Sequence, residues 1–176
     1  QEGDAEAFGV LVERYEGKLL RYGRKFLSRR EDIEDIVQDV FESAFKNIKS
    51  FDASRAFSPW IFRVAHNAFV NGLRKRSRNP LTMLDFDTLL AHKVDDEAPA
   101  DLEREQKEMR EMIEAGLEQL PPKSREILVL FYLEGFSYQE IADILQVPTG
   151  TVGVRLKRAR DAMKQAYQKL NISYEG

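Results

Sequence analysis

The sequence predicts an all-α chain: two small helical domains joined by a flexible acidic linker, the C-terminal one a helix-turn-helix. Apolar residues recur near a period of about 3.6 residues in one segment after another, as amphipathic helices require. No stretch alternates apolar and polar residues in the manner of a half-buried strand. A proline-bearing acidic stretch without sustained periodicity divides the chain in two. A length of 176 residues suits one ordinary domain or two small ones.

The first domain, residues 1–79, is read as three helices. Glu6 to Leu27 places Phe8, Leu11, Val12, Tyr15, Leu19, Leu20 and Tyr22 on one face. Glu31 to Ile48 repeats the pattern with Ile33, Ile36, Val37, Val40, Phe41, Ala44, Phe45 and Ile48. Trp60 to Leu73 does so with Trp60, Ile61, Val64, Ala65, Ala68, Phe69 and Leu73. Residues 80–104, with Pro80, Pro99 and the run Asp95-Asp96-Glu97, form the linker; its Leu81, Met83, Leu84, Phe86, Leu89 and Leu90 are candidates for docking. The second domain, residues 105–176, continues a helix that starts near Leu102 and runs to Leu120, where Pro121 and Pro122 stop it. A further helix from Ser124 to Glu134 ends at Gly135.

Gly135 to Met163 is the sharpest local signal. Ser137 followed by Glu140 is a capping box, opening a short helix with Ile141, Ala142, Ile144 and Leu145. Gln146-Val147-Pro148 breaks it, and Thr149 is expected to cap the next helix. That helix buries Val152, Leu156, Ala159 and Met163. A short helix, a tight turn and a second, basic helix make a helix-turn-helix.

Charge is unevenly spread. The net charge is -3, yet Trp60 to Pro80 holds Arg63, Arg74, Lys75, Arg76 and Arg78 with no acid. Thr149 to Gln165 holds Arg155, Lys157, Arg158, Arg160 and Lys164 against the single Asp161. Between them, Leu81 to Glu114 carries eleven acids and four bases. Two basic islands on an acidic chain point to two contacts with a polyanion, not to a nonspecific coat. With no cysteine there is no disulfide, thiolate metal site or cysteine redox switch. His66 and His92 stand apart, so no metal site and no cofactor is expected; His66 is read as a surface or phosphate contact. The absence of a glycine-rich phosphate loop and of a nucleophile elbow argues against an enzyme. No apolar run reaches the roughly 18 residues of a membrane span, and a cytoplasmic address is expected.

Leu120-Pro121-Pro122-Lys123-Ser124-Arg125-Glu126, Ser137-Tyr138-Gln139-Glu140-Ile141-Ala142 and Gly150-Thr151-Val152 resemble the C-terminal domain of extracytoplasmic-function (ECF) sigma factors of bacterial RNA polymerase. The N-terminal half resembles the same family independently. Asp32-Ile33-Glu34-Asp35-Ile36-Val37-Gln38-Asp39-Val40-Phe41 is similar to its polymerase-binding helix, and Trp60-Ile61-Phe62-Arg63-Val64-Ala65-His66-Asn67 to its promoter-melting helix. The resemblance implies a region-2-like first domain and a region-4-like second domain. It implies a non-enzymatic subunit that binds core RNA polymerase and recognises promoter DNA, both duplex and melted strand. It also implies control by an anti-sigma or other inhibitory protein that clamps the two domains.

Candidate residues follow from both lines. Asp32, Asp35, Asp39 and Glu42 recur at helical spacing and form an anionic stripe, which alone is most often a solvated face. The resemblance implies that this face, with Gln38, docks on core polymerase. On the third helix Arg63, Asn67, Asn71 and Arg74 line a second stripe, continuing into Lys75 and Arg76; amides and guanidinium groups hydrogen-bond base edges and phosphates. In the family this face and the preceding loop, here Phe51 to Ser58, take the minus-ten element, and the loop captures a flipped base. Asp52, Ala53, Ser54 and Arg55 are individual to this chain, so the captured base stays open. Trp60 and Phe69 are expected in the core; Phe51 and Phe57 belong either there or against DNA. Minus-thirty-five contacts are expected from Thr149, Gly150, Thr151, Gly153, Val154, Arg155, Lys157, Arg158 and Arg160.

Many relatives carry a basic residue where this chain has Gly153 and a small hydroxyl where it has Val154, so their specificity is not transferred. Gly153 also costs about 1 kcal/mol of helix propensity relative to alanine. The alternative reading is a stand-alone helix-turn-helix regulator on duplex operator DNA, against which the acidic stripe and the loop-plus-basic-helix count.

Overall fold

The computed structural model describes residues 5–27, 29–76 and 104–170, except the side chains of 5, 74–76 and 104–110. Apart from Arg104, the expected linker and its apolar residues lie outside the described residues.

Three helices build the first bundle: α1 (Ala5–Gly23), α2 (Arg30–Asn47) and α3 (Phe57–Arg76). Each buries one stripe: Tyr15, Leu19 and Tyr22 from α1; Ile33, Val37, Val40, Phe41 and Ala44 from α2; Ile61, Phe62, Ala65 and Phe69 from α3. Burying a large apolar side chain is worth about 1.5–3 kcal/mol, so three interlocked stripes hold helices that would be marginal alone. α1 stops four residues short of the expected Leu27. There the chain tightens, with the Phe26 amide donating to the Gly23 carbonyl at 2.9 Å. A Cβ on Gly23 would collide with the Phe69 ring and with Ile33, so only glycine permits this close approach. α2 passes into a short 3₁₀ turn, Ile48–Ser50. α3 begins at Phe57, earlier than expected, because Pro59 falls in its first turn, where backbone amides have no intrahelical acceptor.

The second bundle comprises α4 (Arg104–Glu118), α5 (Pro122–Leu128), α6 (Tyr138–Leu145) and α7 (Thr149–Lys169). Pro121 and Pro122 separate α4 from α5, and Arg125 ties the two together. Its Nε donates to the Leu117 carbonyl at 2.8 Å, and its Nη2 to those of Glu118 and Leu120 at 3.0 and 3.3 Å, satisfying the open end of α4. The helix expected from Ser124 to Glu134 starts at Pro122 and widens into a π turn at Val129–Leu133, marked by the Glu134 amide donating to the Val129 carbonyl at 3.0 Å. Gly135, at φ +72°, ends it.

The capping box forms: the Glu140 amide donates to Ser137 Oγ at 3.3 Å, and the Ser137 amide to Glu140 Oε2 at 2.8 Å. Such a cap is worth about 1 kcal/mol. Thr149 does not cap α7. Pro148 occupies that extended position, Thr149 is the first helical residue, and its hydroxyl donates instead to Gln139 Oε1 on α6 at 3.1 Å. Val152, Leu156 and Ala159 are buried as expected, with Met163 partly so.

The two bundles are in contact. α3 packs against α2 on one flank and against α6 on the other. Phe62 is enclosed between Tyr22 and Phe136, with ring centroids 5.3 and 5.1 Å away.

Candidate docking and nucleic-acid surfaces

On α2, Asp35, Gln38, Asp39 and Glu42 are exposed and in line. Asp32 differs: its side chain is only 13% exposed, and Arg29 Nε lies 3.8 Å away. The outward anionic stripe is therefore three acids long, Asp35, Asp39 and Glu42 with the neutral Gln38 beside them, and starts one turn later than the sequence pattern suggests. Glu42 pairs with Lys46 at 3.4 Å in full solvent. A pair of that kind contributes little and yields readily to a competing partner.

The loop before α3 is organised by Asp52. Its Oδ1 accepts the Ser54 amide at 3.0 Å and the Ser54 hydroxyl at 2.7 Å, while Arg55 Nε stands 3.6 Å from Oδ2. The Ser54 bonds hold the Asp52 carboxyl below the usual range. Asp52, Ala53, Ser54 and Arg55 are all exposed at the tip. Beneath it Phe51, Phe57 and Trp60 pack on one another with centroids 5.2–5.5 Å apart, all partly buried. Both open phenylalanines thus form the seat of the loop, along with Trp60.

On α3 the free surface is a narrow strip: Asn67 and Asn71 are exposed and Arg63 partly so. Arg74, Lys75 and Arg76 continue the helix, but their side chains lie outside those described. Phe69 is fully buried, as expected, and so is Phe62. His66 is not a surface contact. Its side chain is 17% exposed, and Nδ1 lies 2.7 Å from Oε1 of Glu126, on α5 of the other bundle. Tyr22 donates its hydroxyl to the same oxygen at 2.5 Å. A carboxylate only accepts, so the His66 Nδ1 proton points at Glu126. Burial, with Glu126 beside it, pushes the Tyr22 hydroxyl well up. Among the described residues no buried side-chain nitrogen or oxygen lacks a partner.

On α7, Thr149, Gly150, Val154, Lys157, Arg158 and Arg160 are exposed; Thr151, Gly153 and Arg155 are partly so. All nine expected residues thus sit outside the buried stripe. A Cβ on Gly153 would lie 3.6 Å from the Tyr138 ring, an ordinary contact. The sequence reading missed an apolar groove bounded by Ile113, Leu117, Val129, Tyr132, Leu133 and Met163. Tyr132 and Leu133 are more than half exposed there. The signal was the run Leu130-Phe131-Tyr132-Leu133, which one helical turn cannot bury on every side.

The Sigma-70 region 2 family model matches residues 11–79 and the Sigma-70, region 4 model residues 110–163. The RNA polymerase sigma-H factor of Pseudomonas aeruginosa is 35% identical, covering 97% of this chain and 91% of its own. The ECF RNA polymerase sigma factor SigW of Bacillus subtilis is 32% identical over 97% and 94%. Among solved structures, CnrH in complex with the cytosolic domain of CnrY aligns with a TM-score of 0.67 at 26% identity, over 96% of this chain and 92% of that one. RpoE of Bartonella quintana, in complex with the anti-sigma factor NepR, shares the fold with a TM-score of 0.73 at 24% identity, over 93% and 98%. Matched in both halves, in the same order and over nearly its whole length, this chain belongs to the ECF sigma factors of bacterial RNA polymerase.

Proposed function

We propose that the chain directs promoter-specific initiation through three separate surfaces. The exposed Asp35, Gln38, Asp39 and Glu42 of α2, with Asp32 at their margin, dock on core RNA polymerase. Arg63, Asn67 and Asn71 of α3, continued by Arg74, Lys75 and Arg76, follow the minus-ten strand, and the loop tip from Asp52 to Arg55 receives the flipped base. The outer face of α7 reads the minus-thirty-five duplex. The single observation that supports this most is that an exposed acidic face on α2, the exposed Asn67 and Asn71 beside Arg63 on α3, and an exposed basic face on α7 are carried on three separate helices of two bundles.

The energetics suit that division of labour. Flipping a base costs a few kcal/mol of stacking, offset by a fitted pocket and a basic track for the strand. The Asp52 turn pre-orders the tip, so less entropy is lost on capture. On α7, Arg155, Lys157 and Arg158 supply phosphate contacts; with glycine at 153, base readout rests on fewer side chains. Catalysis belongs to the polymerase, and the chain is not itself an enzyme. Among the described residues no helix is long and apolar enough to cross a membrane, and the cytoplasm is where its polymerase and DNA partners reside. By analogy with RpoE, seen with an anti-sigma factor, an inhibitory protein engages this chain as well.

The test is transcription by purified core polymerase plus this chain on a library of promoter variants. Promoter-selective transcripts are expected. Failure to bind core enzyme, together with indifference to opened DNA bubbles, would overturn the reading; binding to duplex operators without core would favour the stand-alone regulator.

A further inference from the structure

We propose that Val154 is a base-reading side chain of α7 and selects the 5-methyl group of a thymine in the upstream duplex, a proposal that rests on placing α7 against the minus-thirty-five element.

Successive residues turn by about 100° around a helix. Gly150, Val154, Lys157 and Arg158 therefore lie on one side of α7, and the buried Val152, Leu156 and Ala159 on the other. On that outer side the first turn and a half carries no charge. Gly150 and Gly153 have no side chain, and a Cβ on Gly150 would meet nothing within 4 Å. Val154 is 53% exposed. Tyr138 of α6 walls one flank: its ring packs against Phe131 with centroids 5.5 Å apart and stands 3.6 Å from where a Cβ of Gly153 would be. The Thr149 hydroxyl is committed to Gln139 Oε1 at 3.1 Å.

What such a surface can tell apart follows from the edges of the bases. In the major groove guanine offers two acceptors, adenine an acceptor and a donor, cytosine a donor, and thymine an acceptor and a methyl group. An isopropyl group makes no hydrogen bond, so the methyl group is the feature it recognises. An amine of adenine or cytosine facing it would lose its water without a replacement. The N-terminal part of a groove-bound helix is the part that reaches base edges, and glycines at 150 and 153 let its backbone approach closely. Lys157 and Arg158, one turn later on the same side, meet phosphates. The exposed Asp161, a further turn along, repels them and marks where the contact ends.

The test uses the chain bound to purified core polymerase. The preferred upstream element is selected from a promoter library, and each of its thymines is replaced in turn by deoxyuridine, which removes only the methyl group. Replacement at one position is expected to weaken promoter affinity about three- to five-fold, the loss of one buried methyl. Val154→Ala, a change that suits an exposed helix position, should bind the thymine and deoxyuridine forms alike there. Val154→Gln should move the preferred base at that position to adenine, whose edge an amide fits. A preference for thymine kept by both variants overturns the assignment. So does an upstream element that governs affinity while no thymine in it responds to deoxyuridine; α7 then stays the upstream contact. Affinity indifferent to the whole upstream element overturns the reading of α7 and this assignment with it.

Discussion

α3 and α7 are nearly the same length, 20 and 21 residues, and both are rich in basic residues in sequence, yet the fold holds them in opposite ways. α3 is a beam between two bodies: Ile61, Ala65 and Phe69 face its own bundle, while Phe62 and His66 stand at the seam and touch both. What remains for a ligand is a strip one or two side chains wide. α7 is held by helices of its own bundle only, α4, α5 and α6, through the buried Val152, Leu156, Ala159 and Ala166, and turns an outer face to solvent. A doubly held helix gains rigidity and loses surface, and its position depends on both bundles. A singly held helix keeps a broad face, and its position depends on its own bundle alone.

The largest test of this contrast is a pair of core truncations. Phe62→Ala is expected to cost about 3–5 kcal/mol in denaturant unfolding and to separate the two bundles as well. Leu156→Ala, at about 2–5 kcal/mol, should weaken the second bundle while leaving the first with its native stability. If Phe62→Ala leaves the spacing of the bundles unchanged, α3 is not a shared beam. Next in size, Asn67→Ala should slow promoter opening about ten- to a hundred-fold, the scale of one lost base contact, with core binding intact. Equal loss of both would remove Asn67 from the DNA strip. Arg158→Ala, on the broad face, should weaken upstream duplex binding and shrink the slope of affinity against salt by about one; unchanged affinity at low salt would count against a phosphate contact. The smallest effect is a gain. Gly153→Ala should stabilise the second bundle by up to about 1 kcal/mol, because the added methyl meets Tyr138 at an ordinary distance. A measured loss of stability would mean that this face of α7 is more crowded than its exposure indicates.

Features set by neighbours in sequence were legible in advance. The stripes of α1, α2 and α7, the Ser137–Glu140 cap and the stop at Gly135 each depend on residues within a few positions of one another, and they formed as expected except at Phe45, which stays exposed at the end of the α2 stripe. Errors at helix ends were also local. Pro148 took the capping position from Thr149 because the extended conformation suits proline, and Asp32 was tucked beside Arg29 at the first turn of its helix. The reading of His66 failed for a different reason. Its partner stands 60 residues away, and Tyr22 is 104 residues from the same Glu126. No spacing rule spans such distances. Phe62 lies off the apolar stripe expected for α3, and only the distant Phe136, packed over it, shows it to be core.

Periodicity, caps and charge islands therefore belong to the chain as written, because each is a short-range consequence of helix geometry. Which flank of α3 is covered, why Glu126 is buried, and that the two bundles lie against each other were settled only by assembly. Those contacts join residues whose proximity is a product of packing, and packing minimises the exposed apolar area of the whole molecule rather than of any one segment.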